Sequence, residues 1–153
     1  MALIGENNEQ KIWNYLSKAI GNDYGAAGLM GNLYAESGLS SIAMENAYKP
    51  KIGLNDETYT KAVDNNSYAN FVRDSVGYGL AQWTFWSLKQ NLLNYAKQKG
   101  TSIGDLEMQL EFLILELKQE YPKIWNILTK ATSVLQASNI VLLDFERPYN
   151  QSE

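Results

Sequence analysis

Glu36, in the stretch NLYAESGL, has the type and spacing of a working carboxyl group. It follows Leu29 by seven positions and Leu33 by three, so on a helix it shares their apolar stripe. Ser37-Gly38 then ends the helix. Apolar surroundings disfavour an ionised carboxylate, and the partial negative charge at a helix's C-terminal end acts in the same direction. Both effects would keep Glu36 protonated near neutral pH, the state in which a general acid donates to a glycosidic oxygen. The competing reading is a surface glutamate, or a buried one held by an arginine.

A second group is GYGLAQW, residues 77–83. Its glycines permit close approach of a ligand, Gln82 carries both a donor and acceptors, and Tyr78, Trp83 and Trp86 have faces suited to sugar rings. The bland reading is a tight turn whose aromatics are core. A second carboxylate is less defined. Asp74 stands just before this turn and is the first choice, with Asp64 and Glu45 as alternatives; for each, a solvated loop carboxylate is the competing role.

Absences narrow the chemistry. The 153 residues contain neither cysteine nor histidine. Disulfides, Cys/His and Ser/His/Asp nucleophilic catalysis are therefore excluded, and a zinc site would need carboxylates alone. Proton transfer falls to Asp, Glu, Lys or Tyr, and carboxylate pairs are the usual equipment of glycosidases. No metal or cofactor is expected. A net charge of -4 leaves no basic footprint for nucleic acid. No apolar run is long enough for membrane insertion, and MALIGENNEQ lacks the pattern of a signal peptide.

The elements that must position these groups read as mostly helical. The length suits one domain, residues 1–153. An amphipathic helix spans Asn8 to Ile20, stopped by Gly21, and a second runs from Asp23 to Glu36 with Asn22 or Asp23 as its cap. Gly25, Gly28 and Gly31 weaken that helix by up to about 1 kcal/mol each, which implies close packing of other backbone against it. Residues 40–82 are polar, tyrosine-rich and irregular, and read as a small lobe; TYTKAV and YANFV fit short helical turns or strands. A helix follows from Thr84 to Lys99, with Gly100 as its stop. Ser102 to Asp105 resembles a capping box before a helix burying Leu106, Leu110, Leu113 and Leu117. Along it, Glu107, Glu111, Glu116 and Glu120 read as a solvated face. Pro122 opens a further helix, Ser133 caps the last one through Leu143, and DFERP, residues 144–148, reads as a helix end.

The order of blocks AGLMGNLYAESGL, a tyrosine-rich segment, GYGLAQWT with SLKQNLLNYA, IGDLEMQLEFLILEL and DFERP resembles the phage tail lysozyme family. The likeness extends from about Lys11 to Pro148. That family lies in the lysozyme-like superfamily with goose-type lysozymes and soluble lytic transglycosylases. The resemblance implies a mainly α lysozyme-like fold, with a helical lobe and a smaller lobe flanking a cleft. It implies that Glu36, followed by Ser37, is the catalytic acid, and that Gly79-Leu80-Ala81-Gln82 is the element across the cleft. Goose-type enzymes carry an aspartate shortly before that element, which corresponds to Asp74; lytic transglycosylases lack it.

The expected substrate is bacterial peptidoglycan, cut at the β-1,4 bond between N-acetylmuramic acid and N-acetylglucosamine. Asp74 would then activate water, with Gln82, Tyr78, Trp83, Gly79 and Ser37 as substrate contacts. If Asp74 is idle, attack by the muramic acid 6-hydroxyl gives an anhydro product. The rival classes are a non-catalytic wall-binding or tail-structural module and a carboxylate-only metallohydrolase. The context implied is a bacteriolytic phage endolysin, held in the host cytoplasm until holin-mediated release, or a virion tail component. A separate cell-wall-binding domain or tail proteins would be its partners.

Overall fold

The computed structural model describes residues 3–146. Among them the fold is mainly α, and the β pairing consists of isolated bridges, Met44 with Tyr78 and Tyr78 with Trp83. The helices are α1 (Asn8–Ile20), α2 (Asp23–Ser37), α3 (Lys49–Ile52), α4 (Asp56–Asp64), α5 (Trp86–Lys99), α6 (Leu106–Glu120), α7 (Pro122–Thr129) and α8 (Val134–Val141). A 3-10 turn, Asn46–Tyr48, precedes α3, and a π-type turn, Leu142–Glu146, follows α8. Arg147 and Pro148 of the DFERP stretch lie outside the described residues.

Helix boundaries follow local chemistry. Asn7 and Asn22 cap α1 and α2 by accepting hydrogen bonds from Gln10 and Gly25 backbone N–H groups. Ser133 does the same for α8 through Gln136. The cap of α6 is Asp105, which accepts from Met108 N; Ser102 instead donates to Asp64, so the expected capping box does not form. α5 starts at Trp86 rather than Thr84, and α8 gives way to the wider turn after Val141 rather than running to Leu143. TYTKAV lies within α4, whereas YANFV forms irregular turns.

α2 organises the interior, packing against α1, α7 and α8. Leu29 and Leu33 are fully buried, as the leucine stripe requires. A Cβ on Gly25 would lie 2.0 Å from the Leu128 carbonyl oxygen, and one on Gly28 would lie 2.5 Å from Ala137 Cβ. These two glycines allow α7 and α8 to touch the α2 backbone. Gly31 does not share that role: it is exposed, with nothing within 4 Å of a built Cβ. Buried Asn32 donates to the carbonyl of Ser138 at 3.1 Å, and Asn22 donates to those of Thr129 and Ala131. Polar side chains thereby satisfy carbonyls at the ends and turns of the neighbouring helices. These contacts fix α2 against its neighbours as far as Asn32, one turn before Glu36.

Candidate active site

Glu36, Ser37 and Gly38 end α2 at a pocket of about 530 Å³, lined elsewhere by Ser40, residues 43–46, Lys49, Asp56, Gln82 and Thr84. The volume is within the usual range for ligand sites, roughly 300–1,000 Å³. Glu36 is half-buried. The apolar surroundings expected for it are absent from this wall: Ala43 and Met44 are set among Ser40, Glu45, Asn46, Lys49, Asp56, Gln82 and Thr84. Gly38 adopts φ 63° and donates its N–H to the Tyr34 carbonyl, ending the helix immediately beyond the acid. Ser37 Oγ donates back to the Leu33 carbonyl at 2.9 Å.

The loop after α2 has almost no regular structure, yet its polar groups are individually tied. Ser41 Oγ donates to Gly104 O at 2.7 Å. The Ala43 carbonyl accepts from Gly79 N at 2.9 Å and from Gln82 Nε2 at 2.8 Å. Met44 N donates to Asp56 Oδ1 at 2.9 Å, and the same oxygen pairs with Lys49 Nζ at 3.0 Å. Glu45 is fixed at both backbone and side chain: its N donates to Gly77 O at 2.8 Å, and its Oε1 accepts from Gly77 N at 2.9 Å.

The facing element is a tight hairpin closed by reciprocal backbone bonds between Tyr78 and Trp83, 3.1 and 3.0 Å long. Gly79 sits at φ 83°, and a Cβ there would lie 2.9 Å from the Gln109 amide. Fully buried Gln109 uses that opening to accept from Leu80 N, while donating to the carbonyls of Ser41 and Ile103. Gln82 has φ 53°, an uncommon value for a residue with a side chain. Its amide holds Ala43, and its carbonyl accepts from Thr84 Oγ1 at 2.8 Å. A Cβ on Gly77 would lie 2.8 Å from Gln82 Oε1 and 3.2 Å from both Glu45 Oε1 and Thr84 Oγ1. Three polar groups of the pocket therefore converge over this residue.

Of the residues singled out from sequence, Glu36, Ser37 and Gln82 share the pocket wall. Asp74, Tyr78, Gly79 and Trp83 are not on it. The Asp74 backbone is partly open, but its carboxylate is only 1% exposed and lies 2.5 Å from Lys89 Nζ. It also accepts from Tyr59 OH at 2.6 Å, Tyr68 OH at 2.8 Å and Val76 N at 3.0 Å. Lys89 is itself fully buried and donates to the Val76 carbonyl and Tyr59 OH as well. Burial, then the Asp74 charge, push the Tyr59 hydroxyl far above the usual tyrosine range; burial and the Asp74 hydrogen bond raise Tyr68. Tyr78 and Trp83 are fully covered by protein and offer no face to a ligand in this structure. The Tyr78 hydroxyl meets Thr60 Oγ1 at 2.6 Å, and Trp83 Nε1 donates to Glu116 Oε1 at 3.1 Å.

Several participants escaped the sequence reading. Glu116 is buried against Trp83 rather than on a solvated face. Its position amid the leucines of α6 was a signal, masked by the run of glutamates. Lys89 falls between Leu88 and Leu92 with nothing local to mark it as buried. Asp64, an alternative acid, binds Ile103 N and Ser102 Oγ, away from the pocket. Glu45, on the loop after α2, and Asp56, at the start of α4, do reach the pocket, through a chain path that no periodicity encodes.

Among the described residues no group of three or more acidic side chains is arranged to hold a metal ion, and no helix is long and apolar enough to cross a membrane. Glu36, at the end of α2, and Gln82, on a glycine-rich hairpin, thus line one polar pocket in a mainly α fold. The family model described as phage tail lysozyme matches residues 7–153, and the chain belongs to that family. Membership carries a lysozyme-like role in breaking down cell walls. No solved structure matches the chain.

Proposed function

We propose that this protein is a peptidoglycan glycosidase of the muramidase type, cutting the β-1,4 bond between N-acetylmuramic acid and N-acetylglucosamine. One observation carries the reading. Glu36 sits at the end of a helix fixed by backbone-to-backbone packing, on the wall of a polar pocket whose groups are immobilised by hydrogen bonds. In its protonated form Glu36 donates to the glycosidic oxygen as the bond to the muramic acid C1 breaks. Gln82 and Ser37 contact the substrate. Gly79, Tyr78 and Trp83 act from behind the wall, as supports for the hairpin. Asp74 is a buried charge that holds this region together rather than the residue that activates water. The chain works as one catalytic unit, with residues 40–82 forming the smaller wall of a cleft. Within a phage it acts on the bacterial wall, as an endolysin or from the virion tail.

The test is mass spectrometry of muropeptides released from purified peptidoglycan by wild type and Glu36→Gln. Reducing muramic acid ends from wild type alone support the proposal. Anhydro ends would make the protein a lytic transglycosylase, and reducing glucosamine ends would move the cut to the other bond. Equal activity of the two proteins would remove Glu36 from the chemistry.

A further inference from the structure

We propose that Glu45 is the second catalytic carboxylate, the base that takes a proton from the attacking water; the inference rests on the muramidase reading above. Three acidic side chains line the pocket: Glu36, Glu45 and Asp56. Asp56 is engaged by Lys49 Nζ at 3.0 Å and Met44 N at 2.9 Å, both on the same oxygen, and belongs to the first turn of α4. That oxygen is occupied in tying the loop wall to α4. Asp74 and Asp64 are outside the pocket, each with its oxygens committed elsewhere. Glu45 remains.

Its geometry suits the role. A single backbone donor, Gly77 N–H, holds Oε1 at 2.9 Å, which fixes the direction of the carboxylate without neutralising its charge. The backbone of Glu45 is pinned to the same residue through Gly77 O. Gln82 Oε1 and Thr84 Oγ1 converge with Glu45 Oε1 over Gly77. Two oxygen acceptors and a hydroxyl thus cluster in one part of the pocket wall. Glu45 follows Glu36 by nine residues, but it comes from the loop wall and Glu36 from the end of α2. The two carboxyl groups therefore reach one pocket from different elements, and an inverting glycosidase needs such a separate acid and base.

The step balances. The water oxygen bonds to C1 as one of its protons passes to the Glu45 carboxylate. The C1–O bond breaks, and its electron pair goes to the leaving oxygen, which takes the proton of Glu36. The product is a reducing sugar of inverted configuration, and solvent returns both carboxyl groups to their starting states.

Glu45→Gln tests the charge alone, because the amide oxygen still accepts from Gly77 N–H. Release of reducing ends should fall about a hundredfold or more, the usual contribution of a general base, with the melting temperature unchanged. In Glu45→Ala, sodium azide should restore turnover and appear in the product as a glycosyl azide, because azide attacks C1 without giving up a proton. Glu36→Gln in the same assay separates the two levels of argument. If Glu36→Gln stays active, the muramidase reading fails first. If it is inactive while Glu45→Gln keeps wild-type rates, only the role of Glu45 is lost. A slow Glu45→Gln with no azide product from a folded Glu45→Ala would reduce Glu45 to a support for Gly77. Anhydro ends from wild type would also overturn the proposal, because no water is then activated.

Discussion

Asp74→Asn separates a buried structural charge from a catalytic one. Asp74 and Lys89 have side chains 1% and 0% exposed, with their charged atoms 2.5 Å apart. The asparagine keeps the size of the side chain and one acceptor oxygen. It leaves the Lys89 ammonium buried without its opposite charge, beside neutral groups that include the Val76 carbonyl, the Tyr59 hydroxyl and the Phe71 ring. Removing one partner of a buried pair costs about 3–5 kcal/mol, since the other charge stays uncompensated. For a chain of this length each kcal/mol lowers Tm by about 2–4 °C, so a fall of roughly 6–20 °C is expected. Lys89→Met should fall similarly, and the double variant should lose clearly less than the sum, because the second change removes the charge stranded by the first. The assay is thermal unfolding of the four proteins, together with wall-clearing rates well below every melting transition, scaled to the folded fraction. Turnover by folded Asp74→Asn should stay within about threefold of wild type. An unchanged Tm with turnover abolished would refute this reasoning and return Asp74 to the chemistry.

Other expectations follow from the same contacts. In Gly77→Ala the new methyl would crowd Gln82 Oε1, Glu45 Oε1 and Thr84 Oγ1, all side-chain atoms rather than backbone. Turnover should fall about 10- to 100-fold through misplacement of these groups, while stability changes by less than about 1 kcal/mol; comparable losses of both would overturn this. Gly28→Ala meets Ala137 Cβ at 2.5 Å and the Ser138 backbone nitrogen at 2.6 Å, and should cost about 1–3 kcal/mol by urea unfolding. Gly31→Ala, with open space around it, should instead gain about 0.5–1 kcal/mol from helix propensity. In alkali, the raised Tyr59, Tyr68 and Tyr78 hydroxyls favour the folded state only while they stay protonated. Their contribution is complete below the unfolded tyrosine value of about 10. Above it the unfolded chain loses those protons first, so stability drops by up to about 1.4 kcal/mol per pH unit for each. Urea midpoints that fail to fall as pH rises from about 9 to 11 would contradict this.

Local chemistry made much of the framework legible. The spacing of leucines, the capping residues Asn22 and Ser133, the stop at Gly100 and Pro122 at a helix start each act within one or two turns, so sequence order encodes them directly. The position of Glu36 is local in the same sense: a helix ending at Ser37-Gly38 puts it in the last turn wherever that helix packs. Structure and sequence reading part where a second element decides the surroundings of a side chain. Asp74 reads as a loop acid beside a glycine turn until α5 delivers Lys89 to it from fifteen residues away. Trp83 reads as a sugar platform until Glu116 on α6 receives its N–H.

By itself the sequence determined the mainly helical class, the residue types left to do proton transfer, and the place of Glu36 at the end of α2. Those properties depend on neighbours along the chain. The tertiary structure alone decided which carboxylates line one pocket. Glu45 and Asp56 reach the pocket, and Asp74 does not, because hydrogen bonds from Gly77, Gln82, Gln109 and Lys89 tie irregular segments across long stretches of chain. A loop without periodicity has no preferred side. It acquires an inside and an outside only from the groups it is bonded to.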